Sequence, residues 1–353
     1  MNTRKSLGRG LLALLALAMT AAACGGDDAA SGTKDAATQT TASRAGSSSA
    51  TSAAADPKAD WPDTLRVAAV PSAEEKAQLE RYQPIVDVLE EELGIPVEFN
   101  FATSYSAVIE SMIANKTDVA GFGAFSYVIA TGNGAALEPI AISTQEGEEP
   151  VYRSYGITQA NNTAIDSIED FAGKTVCFVD PGSTSGYLFP SAGLLEVGIN
   201  PETGVKGTFA GGHDSSALSV ANGTCEAGFA FDTMLTSTLI DQGDLKGIVD
   251  TVEDETVNKD QAELKIVWKG PEIPNGPFAM QNSLPASLQS EIKRIFLEDI
   301  NVKAFVASGR CASADDCKLG DDDAAGYAAV DDATYDGVRK VCEQTKSARC
   351  ALS

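Results

Sequence analysis

The sequence predicts an α/β protein of two lobes joined by two crossover segments. Three observations predict it. Apolar runs of strand length alternate with helical periods from residue 64 to residue 302, the pattern of successive β-α units. A second series of such units begins near Tyr152. Pro271, Pro274 and Pro277 then punctuate a late crossing, after which one more strand and helix follow. A folded part of about 290 residues is long for one core and comfortable for two lobes.

Each element has its own signal. Residues 64–70 read as a buried strand. Residues 83–93 read as a helix with Ile85, Val86, Leu89 and Leu93 on one face, Pro84 in its first turn and Gly94 as its stop. Residues 96–101 form a second strand. Ser104 caps a helix running to Asn115, with Val108, Ile109, Met112 and Ile113 inward. Strands 118–123 and 137–142 complete the first series, with mostly parallel pairing expected. The second series runs through strands 152–158 and 174–179, helix 186–197, a short strand at 208–209, helix 214–222, and strands 227–231 and 264–268. Strand 278–280 and helix 288–302 follow the proline-rich crossing, and the acidic stretch 315–336 reads as solvated.

The front of the chain reads as an export signal. Arg4, Lys5 and Arg9 precede an apolar run, residues 11–19, too short to span a bilayer. Ala21-Ala22-Ala23 then meets Cys24, which resembles the lipobox of bacterial lipoproteins; Ala21 departs from it, where Leu is commoner, so a plain cleaved signal is the alternative. Residues 25–60 are poor in large apolar side chains and read as a flexible tether. The expected division is a lipoprotein signal at 1–23, lipidated Cys24 and tether at 24–60, a first lobe at 61–152, a second at 153–272, and the return with C-terminal helices at 273–353. The location implied is the extracytoplasmic face of the cell membrane, held by the lipid alone.

Charge and cysteines narrow the function classes. The net charge is −24, and losing three positive residues with the signal makes it −27. Nucleic acid and anionic lipid need a basic face, so neither is an expected partner. Of seven cysteines, Cys24 is taken by lipid. The other six suggest Cys177–Cys225, Cys311–Cys317 and Cys342–Cys350 bridges in an oxidising compartment, with two free buried thiols as the alternative for the first pair. With one histidine and no suitable spacing, no metal and no cofactor is expected.

The chemistry concentrates at Asp180-Pro181-Gly182-Ser183-Thr184-Ser185-Gly186, between strand 174–179 and the following helix. A helix start carries unpaired N–H groups and partial positive charge, so three hydroxyls there suit a tetrahedral oxyanion. The bland alternative is an ordinary N-cap with spare serines.

Several blocks together carry a family resemblance. They are Tyr82-x-Pro84 with Leu89 and Leu93-Gly94, Tyr105-x3-Ile109-x2-Met112, Asp118-Val-Ala, Asp180-Pro-x-Ser-Thr-Ser-Gly186, Gly212-His213-Asp214 with Ala217-Leu-x-Val-Ala-Asn222, and Ile273-Pro274-x-x-Pro277. Between residues 65 and 280 the chain resembles the phosphate, phosphite and phosphonate-binding proteins of ABC importers. The resemblance implies the type II periplasmic-binding-protein fold, a ligand cleft between the lobes, permease subunits as partners, a monomer and no enzyme activity. It implies Ser183, Thr184, Ser185, Tyr105 and His213 as oxyanion donors. The family's second aromatic donor falls near Phe122, which has no hydroxyl; Ser126 or Tyr127 are the expected substitutes. Aminophosphonate binders carry a carboxylate where this chain has Asn275-Gly276, and Asp232 falls near a second acidic position. That departure favours phosphate, phosphite or a simple alkylphosphonate over ligands with an ammonium group.

A competing class is an exported serine hydrolase, because Gly182-Ser-Thr-Ser-Gly186 is superficially similar to a G-x-S-x-G elbow. Its central residue is Thr184, and His213 would have to be the base with Asp232 orienting it. A structural or adhesive lipoprotein is a third class, disfavoured because no internal repeat is present.

Overall fold

Strand and helix alternate from Leu65, and each strand joins one of two mixed sheets or a short ribbon between them. The computed structural model describes residues 58–350 apart from 74, 254 and 321–323. The signal segment, Cys24 and nearly all of the tether lie outside the described residues. The first series comprises β1 (Leu65–Ala69), β2 (Val97–Phe101), β3 (Val119–Gly121) and β4 (Leu137–Thr144). Helices Glu75–Leu93, Tyr105–Ile113 and Ala124–Gly132 connect them. After β5 (Val151–Tyr152) come β6 (Ser154–Gln159), β7 (Thr175–Phe178), β8 (Lys206–Phe209), β9 (Ala227–Phe231), β10 (Ile248–Asp250) and β11 (Leu264–Lys269). The chain returns through β12 (Ile273–Pro274) to β13 (Pro277–Gln281), and later adds β14 (Gly326–Ala328).

The first sheet has the order β14-β4-β13-β3-β1-β2 and the second β10-β11-β6-β9-β7-β8. The two crossings pair with each other: β12 lies antiparallel to β5, Ile273 opposite Tyr152 and Pro274 opposite Val151. Mostly parallel pairing is not what forms. β1 is parallel to β2 and β3, but β13 enters between β3 and β4 antiparallel to both. In the second sheet β7 is parallel to β8 and β9, while β6 is antiparallel to β9 and β11. A strand arriving by a crossing from the other lobe needs no helical return, so it is free to run against its neighbours.

The helix before β2 begins at Glu75, so Pro84 sits in its interior and not in its first turn. Residues 75–82 are mostly strong helix formers, which outweigh the one backbone bond that Pro84 removes. Gly94 ends it at φ +65°. Ser104 caps the next helix, accepting from the Ala107 amide at 3.2 Å. Helix Ala124–Gly132 has no sequence signal because residues 124–130 are all buried, leaving no polar face to reveal a period.

One core crosses the lobes. Phe125 and Val128 of the first series pack in the same cluster as Leu188 and Phe189 of the second and Tyr335, Val338 and Cys342 of the C-terminal segment. The stretch 315–336 is therefore not simply solvated. Gly326–Ala328 pairs with β4, and Asp332 accepts from the Tyr127 hydroxyl at 2.8 Å while pairing with Arg339. The three expected disulfides are formed: Cys177–Cys225, Cys311–Cys317 and Cys342–Cys350. Among the described residues no helix is long and apolar enough to cross a membrane.

Candidate ligand-binding cleft

Four helices begin at one cavity of about 240 Å³ between the lobes, two from each lobe. Its wall includes Tyr105, the first residue of helix Tyr105–Ile113, and Gly123, the cap of helix Ala124–Gly132. From the second lobe come Ser183, the cap of the helix beginning at Thr184, and His213, the first residue of helix His213–Ala221. Each start presents the partial positive charge of its helix to the same space. Positive potential on an acidic protein is thereby gathered at one cavity by local dipoles.

The hydroxyl cluster is built by the turn after β7. The Gly182 amide donates to Asp180 Oδ1 at 2.7 Å and the Ser183 amide to Asp180 O at 2.9 Å. Ser183 is extended, and its Oγ accepts from the Gly186 amide at 3.1 Å. The first turn is wide, with the Leu188 amide bonded to Ser183 O at 3.1 Å. Gly186 is required because a Cβ there would lie 2.3 Å from Val179 Cβ. Thr184 Oγ1 accepts from the Phe125 amide of the opposite lobe at 2.9 Å, and Ser154 Oγ donates to Ser185 O at 2.6 Å. Ser183, Thr184 and Ser185 are all buried. Since the Ser183 and Thr184 oxygens each accept a backbone N–H, their own O–H protons remain to donate.

His213 is held as a neutral donor. The Phe231 amide donates to Nδ1 at 3.3 Å, so in the neutral ring Nε2 carries the proton. Burial pushes its pKa down to about 3, which keeps it neutral. Nε2 lies 3.3 Å from Ser183 Oγ, and the His213 amide bonds Ser72 O across the lobes at 3.0 Å. Tyr105 is buried and hydrogen-bonds Ser183, and burial pushes its phenol well above the ordinary range, so it keeps its proton. Asp232 also borders the cavity. Its Oδ2 accepts from the Arg153 amide at 2.8 Å and its Oδ1 from the Thr233 amide at 3.0 Å, and burial raises its pKa to about 6.

Two of the expected residues are elsewhere. Phe122 lines the cavity, but Ser126 and Tyr127 do not. The Ser126 hydroxyl donates to Gly123 O at 2.9 Å, and the Tyr127 hydroxyl reaches Asp332, its ring packing on Tyr335 at 5.1 Å. The helix that begins at Ala124 carries both side chains into the core behind the cleft. Asn275 and Gly276 do line it. Asn275 Nδ2 donates to Ser143 O at 3.0 Å, and a Cβ at Gly276 would lie 1.8 Å from Phe122 O, so no side chain fits there.

Other wall residues went unread in the sequence. Arg81 is buried and, among the described residues, is the one basic side chain on the wall; it already has polar partners of its own. It lies in the part of helix Glu75–Leu93 that precedes Pro84, where periodicity gave no start. Glu148 and Glu149 border the cavity from an exposed loop without any pattern. The Ser183–His213 pair does not make a hydrolase: Nδ1 accepts from an amide and does not donate to a carboxylate, so Nε2 holds a proton and cannot take one from serine.

Two α/β lobes with a donor-walled cleft at their paired crossings define an extracytoplasmic substrate-binding protein. The chain belongs to the family of periplasmic substrate-binding proteins of phosphonate ABC transporters, which it matches over residues 67–335. The family comprises transport proteins and not enzymes. The chain is 44% identical over 298 residues to the phosphate-import protein PhnD of Mycolicibacterium smegmatis, covering 82% of this chain and 88% of that one. In fold it is similar to the binding component of a Pseudomonas aeruginosa ABC phosphonate transporter, with a TM-score of 0.65, 22% identity, and 83% and 90% of the two chains covered. PhnD1 of Prochlorococcus marinus, solved in complex with methylphosphonate, gives a TM-score of 0.65 at 18% identity, covering 82% of this chain and 99% of that one.

Proposed function

We propose that this protein captures one phosphorus oxyanion per chain, namely phosphate, phosphite or a simple alkylphosphonate, and delivers it to its permease. The observation that carries this reading is the meeting of four helix starts at one cavity bordered by Ser183, Thr184, Ser185, Tyr105 and His213. A tetrahedral oxyanion offers three or four acceptor oxygens. Neutral hydroxyls, amides and the His213 Nε2–H satisfy them once closure has excluded water. Phe122 supplies an apolar wall. The 44% identical relative is named a phosphate-import protein, which supports phosphate as one member of the ligand class. The backbone approach at Gly276 and the bonded amide of Asn275 leave no carboxylate between the two prolines, which disfavours ligands with an ammonium group.

In this reading Cys24 carries the lipid, residues 25–60 let the binding domain reach the permease, and the protein acts as a monomer. Titration calorimetry of the mature protein against phosphate, phosphite, methylphosphonate and 2-aminoethylphosphonate tests the ligand class. One site per chain is expected for the first three, weakened at least tenfold by the double variant Ser183→Ala/Thr184→Val. Absence of binding by all of them would reject the reading.

A further inference from the structure

The two lobes are joined by more than their paired crossings. We propose that the C-terminal segment from Tyr335 to Cys350 is a strap across the hinge, which holds the lobes together before any ligand arrives and so pre-forms the site between them. The inference rests on the phosphorus-oxyanion reading only for the ligand that probes it.

Helix Asp336–Thr345 begins just past residue 335, where the family match ends. Val338, Val341 and Cys342 form its apolar stripe, with Val338 and Cys342 buried. The helix packs on Ala124–Gly132 of the first lobe, and on the wide turn Thr184–Leu188 and helix Phe189–Glu196 of the second. Its fastening to the first lobe is polar. Asp332 accepts from the Tyr127 hydroxyl at 2.8 Å, and Arg339 pairs with both Asp332 and Asp336. The buried Tyr335 donates its hydroxyl to Asn275 O at 3.1 Å, on the return crossing where it borders the cavity. Its fastening to the second lobe is apolar, because Leu188 and Phe189 share a core with Val338 and Cys342. The end is tied as well. The Cys342–Cys350 bridge folds the chain back, and Cys350 packs on the same core. Arg349 Nη1 donates to Ser106 Oγ at 3.5 Å, beside Tyr105, while its charge acts on Asp180 of the other lobe.

Parting the lobes about their crossings carries Leu188 and Phe189 away from helix Ala124–Gly132. The strap is bonded to the first lobe, so opening strips its stripe from the second and exposes apolar surface on both. The bonds from the Phe125 amide to Thr184 Oγ1 and from the His213 amide to Ser72 O are lost in the same step. All of these contacts are between protein groups. A binding-competent state that is already populated spares the ligand the free energy of closing, and apparent affinity scales with the fraction closed.

Small-angle X-ray scattering of the wild-type mature protein should give the same radius of gyration with and without saturating phosphate. The double variant Val338→Ala/Val341→Ala shaves the stripe. It should be larger than wild type without phosphate, contract on binding it, and bind it at least about tenfold more weakly with faster release, as when the closed fraction falls below about one tenth. Tyr335→Phe loses one hydrogen bond and should release phosphate about threefold faster, which keeps the test open if the double variant does not fold. Contraction of the wild type on binding phosphate would overturn the strap. So would variants that lose urea stability while scattering and release stay at wild-type values. If the wild type binds no phosphorus oxyanion, the cleft reading falls, and equal size of the unliganded wild type and double variant would then overturn the strap separately.

Discussion

The Phe125 amide donates to Thr184 Oγ1 at 2.9 Å, joining the starts of two helices that belong to different lobes. This bond sits at the floor of the cleft, where Gly123 leaves room: a Cβ there would be 3.2 Å from Thr184 Oγ1. The threonine hydroxyl thus registers one lobe against the other through its oxygen alone, and its proton takes no part in that bond. Thr184→Val should weaken ligand binding by about 1–3 kcal/mol, the cost of stranding a buried donor, and Thr184→Ser should restore most of it. Calorimetry on both variants checks this, and equal affinities would remove the registering role.

Two tyrosines separate cleft from scaffold. Tyr105 borders the cavity, whereas Tyr127 points its hydroxyl at Asp332. Tyr105→Phe should lower oxyanion affinity at least about tenfold, in line with the loss of one bond to a charged group. Tyr127→Phe should leave affinity unchanged and lower unfolding stability by about 1–2 kcal/mol. Urea denaturation alongside calorimetry distinguishes the two patterns.

Gly276 is fixed by close approach. Because a Cβ at this position would come within 1.8 Å of Phe122 O, Gly276→Ala must displace either the return crossing or the strand end at Phe122. Such overpacking should cost about 2–4 kcal/mol of stability and distort the cleft. A urea midpoint equal to wild type would show that the crossing yields freely.

How far these features were legible follows from what each one is made of. The alternation of β1 to β4, the Ser104 cap and the Ser183–Ser185 helix start are local, and short segments announce them. The direction of β13 is not local; it depends on where the return crossing enters the first sheet. Helix Ala124–Gly132 is buried all round, so the placement of Ser126 and Tyr127 could not be derived from spacing. Arg81 goes unread because the sequence places the start of its helix at Gln83, with Pro84 in the first turn, whereas the structure accommodates Pro84 mid-helix. The resemblance pointed to His213, but its tautomer depends on the Phe231 amide, a partner that only the fold supplies.

His213 and Asp232 pull stability in opposite directions with pH. His213 falls from an ordinary 6.5 to about 3 on folding, so the unfolded chain binds more protons between those values. Stability from this group is full above 6.5 and is lost as pH falls toward 3. Asp232 rises from 3.8 to about 6, so the native state binds more protons between them. Its contribution is present below 3.8 and lost as pH rises through 6. From pH 4.5 to pH 7, the unliganded wild type should therefore gain stability relative to His213→Gln and lose it relative to Asp232→Asn, by the order of 1–3 kcal/mol each. Urea midpoints at the two pH values measure both differences.

The Cys177–Cys225 bridge closes a separation of 48 residues within the second lobe. Replacing both cysteines by alanine should cost about 4 kcal/mol by the loop-entropy relation. Calorimetric melting of the variant checks the value, and a larger loss is expected when the wild type is reduced, because that opens all three bridges.

The position of β13 sets the order in which the molecule can be finished. It lies between β3 and β4 and comes from residues 277–281, so those two earlier strands have no shared partner to join them until it arrives. By residue 269 the second lobe has all six of its strands, while the first has only four and a gap in the middle of its sheet. Domains fold as units once their strands are present. As the chain is made from its N-terminus, the lobe that begins it is the last to close, and its unfinished half stays pliable until almost the whole protein has been synthesised.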